Sequence, residues 1–150
     1  MNKLRCSVAI VALLLGAQAA VSAQQSAPAG RIKIVSGSAF VVRQGQAIPA
    51  QIGQVVFEAD GLRTGADGRI GVTLNDETRV SLGPGSEALL DQFRFAPAQG
   101  RLGFVLKVVQ GIVSYVSGRI AKLSPDAVRL ETPSAVVGVR GTHVAISVTP

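Results

Sequence analysis

The sequence carries one histidine, His143, and so one ordinary candidate for general-base chemistry near neutral pH. It stands at opposite parity to Val144, Ile146 and Val148, which places it on the solvent face of a strand whose other face is apolar. With a single His and a single Cys, neither a Cys–His pair nor a zinc site of the usual Cys/His type can be assembled. A Ser–His–Asp arrangement is open by count, but no Gly-x-Ser-x-Gly elbow presents a serine to it. The carboxylates fall mostly one per turn, at Asp60, Asp67, Asp76, Asp91 and Asp126, where an Asp commonly bonds its own backbone. Asp76-Glu77 reads as a solvated pair in a turn, not as two acids facing each other across a cleft. Gly83-Pro84-Gly85-Ser86 lacks the Gly-Lys-Ser/Thr ending of a phosphate loop. No catalytic site, metal site or cofactor is expected; the residues point to binding, not to an enzyme.

The elements that would position these residues are strands. Apolar residues make up 47% of the 150, but aromatics only 4% and Trp is absent, so the core must be built from Val, Ile, Leu and Ala. Length allows one domain, and 17 Gly with 7 Pro imply frequent turns. Alternation runs through the chain. Ile32 and Ile34 are expected to share a face before Ser36-Gly37-Ser38; residues 39–43 form a strand turned at Gln44-Gly45; Pro49 suits an edge strand over residues 47–50. Residues 62–64 lead into Gly65-Ala66-Asp67-Gly68, and residues 69–74 follow with Ile70, Val72 and Leu74 on one face. Val80 with Leu82, residues 88–90, and Phe93 with Phe95 as core filling continue the pattern. Leu102, Phe104, Leu106 and Val108 line one face, Gln110-Gly111 is read as a turn, and strands follow over residues 112–116, 119–123, 127–131 and 135–139. Val144, Ile146 and Val148 close the sequence. Such spacing predicts an all-β fold, a compact roll or sandwich of short, mainly antiparallel strands over residues 31–150.

The first residues are expected to leave the fold altogether. Lys3 and Arg5 precede an apolar stretch at residues 8–15, and Val21-Ser22-Ala23 supplies small residues at the −3 and −1 positions of a cleavage site. This is the pattern of a signal peptide over residues 1–23, cut before Gln24, with Ala17-Gln18-Ala19 as the lesser alternative. The apolar run falls short of the about 20 residues that span a bilayer, so an uncleaved anchor is disfavoured. Cys6 would be removed, and the mature chain, with no membrane span, would hold no cysteine. Residues 24–30 read as a flexible polar leader. The formal charge is +6, of which Lys3 and Arg5 supply two. The remaining cations are scattered singly among few aromatics, which argues against nucleic acid and for weak attraction to anionic envelope polymers. Location in the periplasm is the expectation.

One segment stands apart: Thr132-Pro133-Ser134-Ala135-Val136-Val137-Gly138-Val139-Arg140-Gly141-Thr142. An Arg within an apolar, Gly-rich run costs stability unless it is paired or solvated. This segment resembles the FecR domain family, whose signature is a Thr-Pro-x-Ala-x-x-Gly-Val-Arg-Gly-Thr run. Gly61-Leu62-Arg63-Thr64-Gly65 with Asp67-Gly68-Arg69 is similar to a second stretch of that family, and Asn75-Asp76-Glu77-Thr78, Ser86 and Gln110-Gly111 occupy its turns. Two positions depart: Asp60-Gly61 where the family has Gly-Asp, and Glu77 in place of a turn glycine. The resemblance implies a periplasmic binding module in envelope sensing or assembly, whose partner is an envelope protein or polysaccharide. Gly138, Arg140, Gly141 and Thr142 are its candidate binding residues. Arg140 is expected to be structural in the first instance, with Glu131 or Asp60 as counter-charge. The cytoplasmic segment and membrane helix of the family's iron-dicitrate sensor have no counterpart here, so the fold is carried over and direct control of a sigma factor is not. A structural or adhesive module binding polysaccharide or a secreted assembly is the alternative.

Overall fold

The computed structural model describes residues 26–150; the expected signal peptide, with Cys6, lies outside the described residues. The chain is all-β. Its strands are β1 (Pro28–Ser36), β2 (Ala39–Arg43), β3 (Gln46–Pro49), β4 (Val55–Phe57), β5 (Gly61–Thr64), β6 (Arg69–Leu74), β7 (Arg79–Leu82), β8 (Glu87–Ala96) and β9 (Arg101–Val116). A short helix α1 (Arg119–Leu123) and a 3-10 turn at Pro125–Ala127 lead to β10 (Val128–Glu131), β11 (Val136–Gly138) and β12 (His143–Val148). All pairings are antiparallel except that of β10 with β9. No helix of the described residues is long and apolar enough to cross a membrane.

The sixteen-residue β9 organises everything else. Its first part, up to Gln110, pairs with β8 and, at Phe104 to Lys107, with β10. Its last six residues pair with β12 and, from Val113 to Val116, with β7. One wing of the sheet therefore runs outward from β9 through β8, β5 and β2 to β3, and the other through β7, β6 and β1 to β4. Both wings turn their apolar rows toward one core, where Ile32, Ile70, Val72 and Val80 of one meet Val41, Leu62, Leu90 and Leu106 of the other. The break between wings falls at Gly111, with φ +84°. A Cβ at Gly111 would lie 2.2 Å from Ser86 Oγ, so only glycine lets the strand pass this serine while bending. The expected turn at Gln110-Gly111 is thus a kink inside one strand.

Three other expectations are corrected. Pro28, Ala29 and Gly30 belong to β1 and not to a leader, because Ala29 is buried and Gly30 pairs with both Leu74 and Val56. Ile34 does not share a face with Ile32: the register slips between them, Ile34 faces outward over Gly71 and is 57% exposed, and Val35 takes the inward place. The strand expected over residues 119–123 is α1. Arg-Ile-Ala-Lys-Leu contains good helix formers, and only Ile120 of the five is buried. What fixes the helix is distant in sequence. Gly118 packs so closely on Asp76 and Thr78 that a Cβ would meet Thr78 N at 2.3 Å. From there the Arg119 N–H donates to the Asp76 carbonyl at 2.7 Å, and the Ile120 N–H to the Asp76 carboxylate at 3.2 Å.

Candidate binding site

The polar turns around β9 are built inward. Asp60 is 2% exposed and takes a two-point contact from Arg43: Nε to Oδ1 at 2.9 Å and a terminal nitrogen to Oδ2 at 2.7 Å. The Phe57 N–H donates to the same carboxylate at 2.9 Å, and the Arg43 guanidinium lies 4.7 Å over the Phe57 ring. Hydrogen bonding to Asp60 raises the Arg43 pKa above its ordinary value, against a smaller opposing effect of burial, so the guanidinium stays charged. Asp76 is fully buried, which corrects the expectation of a solvated acid. No cation pairs with it among the described residues; its carboxylate is held by three donors, the Thr78 N–H at 3.0 Å, the Thr78 hydroxyl at 2.7 Å and the Ile120 N–H. Ser86, also fully buried, donates its N–H to Thr64 Oγ1 at 2.9 Å and accepts the Ile112 N–H on its hydroxyl at 2.9 Å, beside the Gly111 kink.

Tyr115 lies between these turns and the last strand. It is 1% exposed, its ring lies 5.5 Å from that of Phe104 at a tilt of 39°, and among the described residues its hydroxyl meets no partner at hydrogen-bond geometry. Burial pushes the phenol above the ordinary tyrosine pKa; the nearby Ser117 hydroxyl tempers the effect and the Asp76 charge reinforces it. A neutral, inert phenol in the interior is the consequence.

His143 sits on the outward face, as its parity indicates, with Nε2 2.8 Å from Ser114 Oγ. Among the described residues no carboxylate hydrogen-bonds the ring, and the pair lies on an open strand face where nothing excludes water. A hydrogen-bonded His and Ser on adjacent strands is a cross-strand contact first.

The terminal motif is built outward. Between β11 and β12 only Val139 is buried, at 3% exposure. The Ser117 N–H donates to the Thr142 carbonyl at 2.9 Å and the Ser117 hydroxyl to the Gly141 carbonyl, so the backbone is clamped at the end of β9. Gly138, Arg140, Gly141 and Thr142 are left exposed. Neither counter-charge expected for Arg140 pairs with it among the described residues. Asp60 is taken by Arg43, Glu131 forms no ion pair among the described residues, and Arg140 lies in an irregular connection instead of inside a strand. It reaches solvent, the second of the two ways such an Arg is tolerated. Val139, Arg140 and Gly141 line an open depression of about 460 Å³ together with Ala121, Pro125 and Asp126. Gly138 and Thr142 lie on the segment but outside that lining. The α1 side was not legible as part of a site: Pro125-Asp126 reads only as a turn, and nothing local shows which segment a turn will face.

Residues 60–149 match the FecR protein family, described as FecR protein, and the chain belongs to that family. The matched stretch begins at the buried Asp60, takes in the turns that carry Asp76 and Ser86, and ends just past β12. No curated protein and no solved structure matches the chain.

Proposed function

We propose that this protein is a non-catalytic binding module of the bacterial periplasm, acting in envelope sensing or assembly, and that it meets its partner through residues 138–142. The observation that carries this reading is the outward Arg140, unpaired among the described residues, held on a backbone that Val139 and Ser117 fix from within, where it lines an open depression. A rigid support with an exposed cation suits recognition of an acidic group on an envelope protein. Export is supported by the run of Lys3, Arg5, the apolar residues 8–15 and Val21-Ser22-Ala23. The test is to express the tagged protein in its host, determine its amino terminus by mass spectrometry, and use the exported form to capture partners from envelope extracts. The expected outcome is Gln24 at the amino terminus and an envelope protein retained by the native chain but lost with Arg140→Ala. Full-length protein held in the inner membrane, or capture indifferent to Arg140, refutes the reading.

A polysaccharide partner has its own supporting observation. The outward faces of β6, β7, β9 and β12 carry Thr73, Ser81, Ser114 and Ser147 hydroxyls beside Arg69 and Arg79, with no Asp or Glu within those strands. Retention on an anionic glycan array that is lost with Arg79→Ala and kept with Arg140→Ala selects this alternative.

A further inference from the structure

Among the described residues four strands end the sheet, and three of them are blocked against addition of another strand. β3 has four residues and contains Pro49, which cannot donate to a ladder. β4 has three residues, and its Val55 carbonyl is taken by the Arg43 guanidinium at 3.1 Å. β11 also has only three residues. β12 differs in every respect. It runs six residues, His-Val-Ala-Ile-Ser-Val, with no proline, no Asp, Glu, Lys or Arg, and six consecutive partners on β9 without a register slip. Natural sheets blunt such edges with charge, proline, bulges or brevity, and β12 has none of these. Its inward side chains Val144, Ile146 and Val148 are only partly buried, so one side of this apolar row still lacks cover.

We propose that the free edge of β12 pairs antiparallel with β12 of a second copy of this chain, giving a two-fold dimer with a sheet continuous across it. The strand is complementary to itself. With Ala145 set against Ala145 of the second copy, Val144 faces Ile146 and His143 faces Ser147; with Ile146 set against Ile146, Val144 faces Val148 and Ala145 faces Ser147. In both registers Val144 and Ile146 of each copy meet apolar residues of the other on the core side, while His143, Ala145 and Ser147 stay outside. A foreign strand needs the same alternation to fit, and the edge has no charge with which to select one; a second copy supplies the alternation by symmetry. A six-residue edge is small compared with the about 1,600 Å² of a standard interface, so the dimer forms in the micromolar-to-millimolar range.

Ala145 is exposed at the middle of the edge, so charges placed there reach the partner strand without entering the core. Sedimentation equilibrium on the purified protein is expected to show a monomer–dimer transition. Ala145→Lys and Ala145→Glu are each expected to weaken it about fivefold or more through like charges across the strands. Thermal midpoints measured at high dilution should stay unchanged, and mixing the two variants should restore the dimer. Four results overturn the proposal: a protein that stays monomeric through about 1 mM; a dimer indifferent to both charges; two folded single variants whose mixture stays monomeric; or β12 amides that gain hydrogen-exchange protection only when an unrelated extended peptide is added.

Discussion

Two regions of the molecule carry the family's residues, and they treat polar groups in opposite ways. In the turns around β5 to β9, Asp60, Thr64, Asp76, Thr78 and Ser86 are all buried. Each has its hydrogen bonds answered by backbone or by a side chain, Arg43 of β2 in the case of Asp60. In the segment joining β11 to β12, Val139 goes in, two backbone carbonyls are clamped by Ser117, and Arg140, Gly141 and Thr142 face solvent. One set of motif residues holds the sheet in its curled form; the other is held by it. A motif shared along a family is therefore not one kind of residue, and burial sorts its members by the job they do.

The sharpest way to break this comparison is to attack the buried region at Asp76. Asp76→Ala removes the acceptor of three donors in a site that water does not reach, orphaning the Thr78 and Ile120 N–H groups. At about 1–3 kcal/mol for each unsatisfied buried group, with the Thr78 hydroxyl free to turn elsewhere, a loss of about 3–4 kcal/mol is expected. Urea unfolding followed by circular dichroism measures it. The loss should come with detachment of α1, read as faster hydrogen exchange at Ile120. A loss under about 1 kcal/mol would mean that this turn is not the fixed point it is taken to be.

A gentler test sharpens the same side. Glu77 adopts φ +71°, a left-handed conformation that side chains with a Cβ disfavour, at the position where the family places glycine. Its side chain is exposed, so nothing is lost in packing. Glu77→Gly should stabilise the protein by up to about 1 kcal/mol, the strain relieved outweighing the extra freedom of the unfolded chain. The same denaturant titration, with an unchanged slope, checks it. Destabilisation would show that the turn geometry, not the residue, has been misjudged.

How much of this could be read beforehand follows from range. β2 and β6 were legible to the residue because alternation and glycine-bearing turns are local signals. Ile34 was misplaced because a register slip reverses parity without leaving any mark in composition. The segment 119–123 was misread because five residues are too few to tell a period of two from one of 3.6, and its helix is fixed by Asp76, far back in the chain. Asp76 itself read as solvated because Asp in a turn usually is; that a later segment closes over it is a tertiary fact. Arg140 was given a counter-charge because the apolar run around it does not show that its side chain reaches solvent. The counter-charge first expected for Arg140 does not form among the described residues.

The smallest effect on stability belongs to that segment, and it is the one on which the comparison turns. Arg140→Ala removes a side chain that is exposed, unpaired among the described residues and outside the core. The backbone that supports it is untouched: Val139 still packs inward, and Ser117 still holds the carbonyls of Gly141 and Thr142. The expected change in unfolding free energy is therefore below about 0.5 kcal/mol, the range of surface substitutions that break no specific feature. Had Arg140 formed a buried pair, about 3–5 kcal/mol would be lost instead, a difference that one pair of denaturation curves resolves. Val139→Ala supplies the internal contrast, since it truncates the neighbouring residue that does pack and should cost more than its exposed neighbour although Arg140 is the larger side chain. If the order is reversed, with Arg140→Ala the more damaging of the two, the terminal segment is part of the scaffold after all, and the division between residues that hold and residues that are held fails where it was drawn.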